Sequence, residues 1–164
     1  MLYMGDCQVT IFGKDEDAIK RFGASMPLPE IQGGSFNQPK PLHLSKVAIV
    51  TTAALHPIGK QGFELGDGDS HYEILSSHAR DFSLGHYSVN FDRGGFAADI
   101  NVVYPIDRLH ELAEERIIGE VAANHYSFAG NQSETVSEIR LDSGPNCAKQ
   151  LLKEGVDIIL LTGT

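Results

Sequence analysis

The chain has 164 residues, of which 41% are hydrophobic and 21% charged, a composition typical of a globular protein with one core. Its formal net charge of -9 argues against nucleic acid or an anionic membrane as a partner, because both bind basic surfaces. It has no apolar run of the ~20 residues that a membrane helix needs, and its first residues do not resemble a secretory signal. The two cysteines, Cys7 and Cys147, form no CxxC pair, so we expect a reducing, cytoplasmic location.

Residues 1–45 differ from the remainder of the chain, and we interpret them as an N-terminal arm. Prolines and a glycine pair interrupt any long helix or central strand there: Pro27, Pro29, Gly33, Gly34, Pro39 and Pro41. A short helix is predicted over residues 15–22, because Ala18, Ile19 and Phe22 fall near one face. The arm is predicted either to run extended across the main domain or to be a loosely ordered leader.

Regular structure is predicted to begin at Lys46. Residues 47–52 form a β-branched run typical of a buried strand, and residues 56–59 predict a turn. The stretch between Phe63 and Arg93 is predicted to be loop with one or two short strands. Residues 101–104 predict a strand or an extended entry to the helix that follows.

Two helices and two more strands are predicted beyond that point. Pro105 suits the first turn of a helix, whose apolar face would hold Ile106, Leu109, Leu112 and Ala113. Residues 120–128 predict a strand. A final helix is predicted with Ser143 as its cap, Pro145 in its first turn, Gly155 in the left-handed position after its end, and a buried stripe of Ala148, Leu151 and Leu152.

This order of elements predicts an α/β fold, an open and mostly parallel sheet of Rossmann or flavodoxin type with helices packed on it. The last predicted strand, residues 156–161, ends close to Thr164, at the sheet edge where open α/β folds bind their ligands. We therefore expect residues 46–164 to be an α/β domain that is incomplete at its C-terminus.

Five side chains are candidates for binding a substrate at that edge. His56 could bind a carboxylate or transfer a proton, or it could cap a turn before Pro57. Asp107 and Arg108 lie in the first turn of a helix, where Arg108 could clamp a carboxylate. Equally, Asp107 could complement the helix dipole while Arg108 forms a structural ion pair. His125 could face the pocket or be a buried histidine satisfied by a backbone carbonyl. Thr162 should share the carboxyl edge of the sheet with residues 51–56.

Metal binding and thiol chemistry are not favoured by the residue pattern. Several residues are of metal-ligand type but match no compact motif, namely Asp69, His71, His78, His86 and Asp92. Cys147 lies among apolar residues of the last helix and is expected to pack in the core. We expect no metal and no catalytic residue within the chain itself.

Several sequence blocks resemble a known family. They are Val47–His56 (VAIVTTAALH), Gly66–Tyr72 (GDGDSHY), Asp99–Leu109 (DINVVYPIDRL), Ile118–Ala122 (IGEVA), His125–Phe128 (HYSF), Gly144-Pro145 and Gly155–Thr162 (GVDIILLT). In this order they resemble the selenoprotein B family of glycine, sarcosine, betaine and D-proline reductases, most closely its D-proline reductase members. The resemblance covers nearly all of residues 46–164, and the DINVVYPIDRL block is its most specific part.

The resemblance implies reductive cleavage of a C–N bond in D-proline, glycine or a related amine. In the family, a pyruvoyl carbonyl on a partner subunit captures the substrate amine, and a selenolate attacks the adjacent carbon. A nearby thiol then closes a selenide–sulfide bond, which an external dithiol reduces. The nucleophile, selenocysteine or cysteine, is expected immediately after Thr164, so the chain is interpreted as an inactive fragment whose gene continues through a UGA codon.

Two other functions are compatible with the sequence. The chain could be a naturally short, non-catalytic binding or scaffold subunit of the same family. It could also be an amino-acid racemase-like enzyme, although that chemistry needs two opposed thiols and Cys7 and Cys147 do not look so placed. We also expect apolar surface on the last strand and self-association into dimers or larger assemblies.

Overall fold

The computed structural model of the chain describes residues 16–25, 37–64, 69–85, 93–130, 132 and 138–163. The chain divides into two compact units, Met1–Gly34 and Ser35–Thr164. In the first unit, helix α1 covers Glu16–Ser25, so the predicted short helix is present. Cys7, His86, Asp92 and the residues of the Gly66–Gly68 segment lie outside the described residues. No helix in the described ranges is long and apolar enough to cross a membrane.

The described part of the second unit contains strands and helices in the order expected of an α/β protein. In chain order they are β1 (Lys46–Thr51), β2 (Leu55–Pro57), β3 (Tyr72–Ser76), β4 (Phe82–Leu84), α2 (Arg93–Ala98), α3 (Ile106–Glu114), β5 (Glu120–Val121), β6 (Asn124–Phe128), α4 (Gly144–Lys153) and β7 (Ile158–Thr162). Short 3-10 helices at Leu42–Leu44 and Ile100–Val102 precede β1 and α3.

The main sheet is mostly parallel, as the sequence predicts. Strand β1 pairs in parallel with β5, β6 and β7, whereas β3 pairs antiparallel with β6. Val47 pairs with both β5 and β7, and Thr51 with both β6 and β7, so β5 and β6 share one edge of β1 and β7 occupies the other. Strand β1 is therefore the centre of the sheet. A separate two-stranded sheet joins β2 and β4.

Alternating residues of β1 enter two separate cores. Val47 and Ile49 pack with Leu109 and Ile106 of α3 on one face, which we call the α3 face. On the opposite face, Ala48 packs with residues of β6 and α4. The connections from β1 to β6 and from β6 to β7 thus run on opposite faces of the sheet, which is the doubly wound arrangement.

The structure corrects two strand predictions. Residues 101–104 are not a strand: the Asp99 carboxylate accepts the N–H of Asn101 at 2.9 Å and so caps a 3-10 turn. Residues 120–128 are two strands instead of one. Each residue of β1 is paired with a residue further along the chain. The difference in residue number is 120 − 46 = 74 at β5 but 126 − 50 = 76 at β6. Two extra residues, Ala122 and Ala123, therefore interrupt the strand.

The final helix ends as predicted but begins differently. Gly155 has φ +74°, its N–H bonds the Leu152 carbonyl, and the Val156 N–H bonds the Leu151 carbonyl, so the predicted glycine termination is confirmed. Ser143 makes no capping bond, because a π-helical turn at Ile139–Ser143 runs directly into α4. The buried stripe consists of Cys147 and Leu151; the prediction of Ala148 and Leu152 within it is wrong.

Strand β7 presents apolar side chains to solvent. Ile159 is 43% exposed and Leu161 is 74% exposed, and both lie on the α4 side of the sheet because they alternate with Ile158, which packs on the α3 face. The apolar surface predicted on this strand is present.

Candidate functional site

A row of polar side chains crosses the sheet near the carboxyl ends of its parallel strands. Register pairs Glu73 of β3 with Ser127 of β6, Ser127 with Thr51 of β1, and Thr51 with Thr162 of β7. Directly paired residues place their side chains on the same face of a sheet, so all four lie on the α3 face. We call Glu73, Ser127, Thr51 and Thr162 the polar row.

One backbone carbonyl ties the row to the segment before α3. The hydroxyls of Thr51 and Thr162 each donate to the Val103 carbonyl at 2.9 Å. The Thr52 N–H donates to the Thr162 carbonyl at 3.0 Å, which extends the β1–β7 pairing past the end of β1. The structure thus brings Thr162 together with residues 51 and 52, at the edge where doubly wound sheets bind ligands.

Ser127 has an unusual environment within the row. Its side chain is fully buried, and its hydroxyl has no hydrogen-bond partner among the described residues. Buried hydroxyls in proteins nearly always have a partner, because an unmade bond costs about 1–3 kcal/mol. This hydroxyl is therefore an unpaired polar group on the α3 face that is closed to solvent in this structure.

His56 lies beside this edge, behind an aromatic ring. Ala54, which follows β1, has φ +53° and so turns the chain into β2, where the His56 Nδ1 lies 3.3 Å from the Ala54 carbonyl. A Cβ at Gly62 would come within 2.9 Å of three ring atoms of His56. Glycine therefore lets the backbone at position 62 lie against the His56 ring without displacing it. The edge of the His56 ring faces Phe63, with centroids 6.3 Å apart.

The opposite face of Phe63 stacks on His71, with ring centroids 4.5 Å apart and an interplanar angle of 18°. The Asp69 carboxylate accepts hydrogen bonds from the His71 ring Nδ1–H, from the His71 N–H at 3.2 Å and from the Glu64 N–H at 2.6 Å. Burial by itself would raise the pKa of Asp69, but these bonds outweigh it and hold the pKa below its usual value. Asp69 is consequently an anion that orients His71.

Asp107 is engaged in a network at the start of α3. Its Oδ1 accepts from the Arg80 Nε at 3.0 Å and Nη2 at 2.6 Å, and its Oδ2 accepts from the Asn101 side-chain amide at 2.9 Å. The bonds from Asn101 and Arg80 lower its pKa. Asp107 thus forms an ion pair with Arg80, which was not among the roles predicted for it; contact with a substrate stays a prediction.

Arg108 points away from this network. Its guanidinium lies 2.9 Å from Glu111 one turn later, and its side chain is 60% exposed. A pair of this kind on a helix surface contributes little stability, so Arg108 is free to exchange partners. Its predicted role in clamping a carboxylate is not tested by this contact.

His125 is completely buried within the sheet. Its Nδ1 accepts the backbone N–H of Ile49 at 2.8 Å, filling the position that a strand carbonyl would occupy if Ala122 and Ala123 were absent. Burial, together with the charge of His110, lowers the pKa of His125 to about 4, while a contact with the backbone of Ala122 opposes the shift. The ring is therefore neutral and buried. The predicted bond to a backbone carbonyl is not found: the ring accepts a backbone N–H instead, and its Nε2 has no partner among the described residues. Substrate binding by His125 remains a prediction.

Cys147 is buried on the opposite side of the sheet from the polar row. Burial raises the pKa of its thiol to about 11, so it is a poor nucleophile at neutral pH, and its expected packing in the core is confirmed. In the described ranges, no three side chains of His, Cys, Asp or Glu are grouped so that they could hold a metal ion.

Sequence reasoning missed Glu73 and the hydrogen bond between Asp69 and His71, which were considered only as metal-ligand types; it named Ser127 only as part of the segment 125–127 that could face the pocket. The spacing of two residues between Asp69 and His71 is a local signal, because a carboxylate reaches the groups two positions ahead of it. The position of Glu73 and Ser127 was not readable, since it depends on the antiparallel register of β3 against β6.

The sequence profile of glycine/sarcosine/betaine reductase selenoprotein B matches residues 18–164. The chain is 34% identical over 118 residues to the D-proline reductase subunit gamma of Acetoanaerobium sticklandii, covering 71% of this chain and 47% of that protein. It is 28% identical over 152 residues to the sarcosine reductase complex component B subunit beta of Peptoclostridium acidaminophilum, covering 88% and 34% respectively.

A third relative is the glycine reductase complex component B subunit gamma of Peptoclostridium acidaminophilum, which is 26% identical over 133 residues, or 76% of this chain and 29% of that protein. The chain thus spans about half the length of the D-proline reductase subunit and about a third of the other two. No solved structure has significant similarity to it. Because the family profile matches nine tenths of the sequence in one continuous stretch, the chain belongs to the glycine/sarcosine/betaine reductase selenoprotein B family.

Proposed function

We propose that the chain is the N-terminal part of a selenoprotein B-type subunit of a cytoplasmic amino-acid reductase. The whole protein would cleave a C–N bond of D-proline, glycine or a related amine, with a dithiol as the reductant. The selenocysteine or cysteine nucleophile would follow Thr164, so the chain alone would be inactive.

The pairing of β1 with β7 is the observation that carries this proposal. Thr51 and Thr162 lie side by side, and both donate to the Val103 carbonyl at 2.9 Å. A nucleophile placed shortly after β7 would therefore emerge at the polar row, where ligands of doubly wound sheets bind. A selenol suits this role because it is ionised at neutral pH, unlike a free cysteine with a pKa near ~8.5.

A partner subunit completes the proposed site. Two of the relatives are named as subunits of component B of reductase complexes, and we extend this assembly to the present chain. A pyruvoyl group on the partner would supply an electrophilic carbonyl for the substrate amine. The residues of this chain would bind and orient the substrate. The start of α3 at Asp107 and Arg108 follows Val103, whose carbonyl the polar row contacts.

The nucleotides that follow the Thr164 codon test the fragment hypothesis. A UGA followed by an open frame with an early cysteine codon is expected, and UAA or UAG would contradict it. The complete frame, produced with selenocysteine and combined with the pyruvoyl subunit, should then open the ring of D-proline or release the amine from glycine or sarcosine when a dithiol is added. Absence of turnover with all of these amines would contradict the proposed reaction.

One observation favours the alternative of a non-catalytic binding subunit. Ile159 and Leu161 form an exposed apolar surface on β7, and such surfaces are covered by a partner or a second copy. On this proposal the chain associates with itself, and light scattering should find dimers or larger species at high protein concentration. The racemase-like alternative has no comparable support, because Cys147 is buried on the other side of the sheet.

A further inference from the structure

A cleft opens beside the start of β3, at the same edge of the sheet as the polar row. Its volume is about 290 Å³, and it is lined by Gln61, Gly62, Glu64, Asp69 and His71. Because β3 runs antiparallel to β6, the residues just before β3 lie next to the carboxyl end of β6. The cleft is large enough for a small metabolite of a few heavy atoms.

His71 is the one cleft residue that combines a fixed orientation with an exchangeable proton. Phe63 stacks on one face of its ring, and Asp69 accepts its Nδ1–H. In the neutral imidazole one nitrogen donates and the other accepts, so the Asp69 bond leaves Nε2 as the acceptor. The side chain is 44% exposed, which leaves this nitrogen accessible.

The charges around His71 favour a cationic ligand. The Nε2 lies 3.7 Å from the Glu73 Oε1, the Asp69 carboxylate contacts the other ring nitrogen, and Glu64 also lines the cleft. Within the described ranges, Lys60 is a cation near this group: its side chain is largely exposed, and its Nζ lies 3.9 Å from Glu73. Two acceptors 3.7 Å apart can both contact one nitrogen at the usual distance of about 2.9 Å.

Beneath the surface beside Glu73 lies a further polar atom without a partner. Ser127 is the register partner of Glu73, its side chain is fully buried, and its hydroxyl is unbonded among the described residues. This observation is independent of the Asp69–His71 contact. Because Ser127 is covered, a ligand in the cleft reaches its hydroxyl only when the side chains above it move.

We propose that the Asp69–His71 pair binds a small primary or secondary amine in this cleft and exchanges a proton with its nitrogen. The ammonium form donates to the His71 Nε2 and the Glu73 carboxylate. The inference rests on the proposed function for its chemical role. His71 first takes a proton from the ammonium on Nε2. When the C–N bond breaks, the nitrogen keeps the bonding electron pair and takes this proton back. The dithiol becomes a disulfide and supplies two electrons and two protons: the electrons and one proton form the new C–H bond, and the second proton makes the released amine an ammonium.

Amine binding can be measured on the chain itself, without catalysis. Pyrrolidine hydrochloride, the cyclic amine of proline, is titrated into isotopically labelled protein and followed by NMR. We expect millimolar affinity, the range open to a ligand of this size, with shift changes at the cleft residues. Tetramethylammonium, which has the same charge but no N–H, and acetate, an anion, should not produce them.

Variants separate His71 from the other histidines. His71→Gln should weaken pyrrolidine binding about tenfold or more, because a hydrogen bond to a charged donor is lost. His78→Gln is the matched control: His78 is exposed beyond the other end of β3, and binding should be unchanged. Nitrogen shifts of the His71 ring should show the proton on Nδ1, and Asp69→Asn should change that signature.

Two results would overturn the proposal: equal binding of pyrrolidine and tetramethylammonium, or unchanged binding by H71Q. Failure of the reductase function gives a different pattern. If pyrrolidine binding depends on His71 but the complete protein reduces no amine, then the cleft assignment stands and the reaction does not. If the complete protein is active and H71Q retains full kcat at all pH values, then the reaction stands and the proton-transfer role does not.

Discussion

His125 should make the protein sensitive to mild acid. The folded protein holds its pKa at about 4, against an ordinary value of 6.5. Between these values the unfolded chain binds a proton that the folded chain excludes, so the free energy of unfolding falls as the pH falls from 6.5 towards 4 and is constant above that window. At ~1.4 kcal/mol for each tenfold change in proton affinity, the total loss is about 3 kcal/mol.

The variant His125→Asn isolates this effect. The Asn Oδ1 occupies nearly the position of the His Nδ1 and can accept the Ile49 N–H, but it does not titrate. His125→Leu has the size of Asn but no acceptor, and it leaves the buried N–H of Ile49 unpaired at a cost of about 1–3 kcal/mol. At neutral pH we therefore expect the stability order wild type, then Asn, then Leu.

Urea unfolding followed by circular dichroism measures these differences. The free energy of unfolding is measured for wild type and H125N at about pH 7 and again at about pH 4.5. The difference between the two proteins should be smaller by about 2–3 kcal/mol at the lower pH, because only the wild type loses the His125 contribution. The carboxylates with lowered pKa values are unchanged in both proteins, so they cancel in the comparison. A gap that is independent of pH, or equal stabilities of H125N and H125L, would refute this account of His125.

Three further predictions concern other parts of the second unit. Gly119→Ala should destabilise the fold by roughly 2 kcal/mol or more in urea unfolding, since its Cβ would lie 2.7 Å from a backbone carbon of Leu44. Gly95→Ala is the contrasting variant: Gly95 is in a helix, and its Cβ would be 3.7 Å from the nearest atom, so the change should be neutral or stabilising. Cys147 should resist a thiol reagent in the native protein and react in urea, and rapid native labelling would contradict its burial. Asp107→Ala should cost about 1–2 kcal/mol by removing the acceptor of Arg80, and equal loss in Asp107→Asn would show that the charge is what matters.

The sequence predicts the centre of this fold better than its site. The β-branched runs that become β1 and β7, the helix after Pro105 and the glycine after α4 are local patterns, and each was interpreted correctly. The polar row is not local. Its four members come from four strands and meet only through register, and register is set by the packing of the whole sheet.

The interruption between β5 and β6 explains why His125 was difficult to place. A run of residues compatible with one strand does not reveal where extra residues are inserted. The insertion is visible only in the shift of pairing against β1. Two alternatives were predicted for His125: a pocket residue, or a buried residue with a backbone bond. The shift in pairing against β1 decides between them.

The two inserted alanines also decide which side chain stands next to Thr51. With the β5 offset continued, position 51 + 74 = 125 would lie opposite Thr51, and an imidazole would sit in the polar row. The insertion shifts the later part of the strand by two residues, about 6.6 Å, relative to β1. His125 thereby moves away from the carboxyl edge of the sheet, and Ser127 takes the position opposite Thr51. Because the number inserted is even, the alternation of the two faces is preserved, and a large titratable ring is exchanged for a small hydroxyl without turning the strand over.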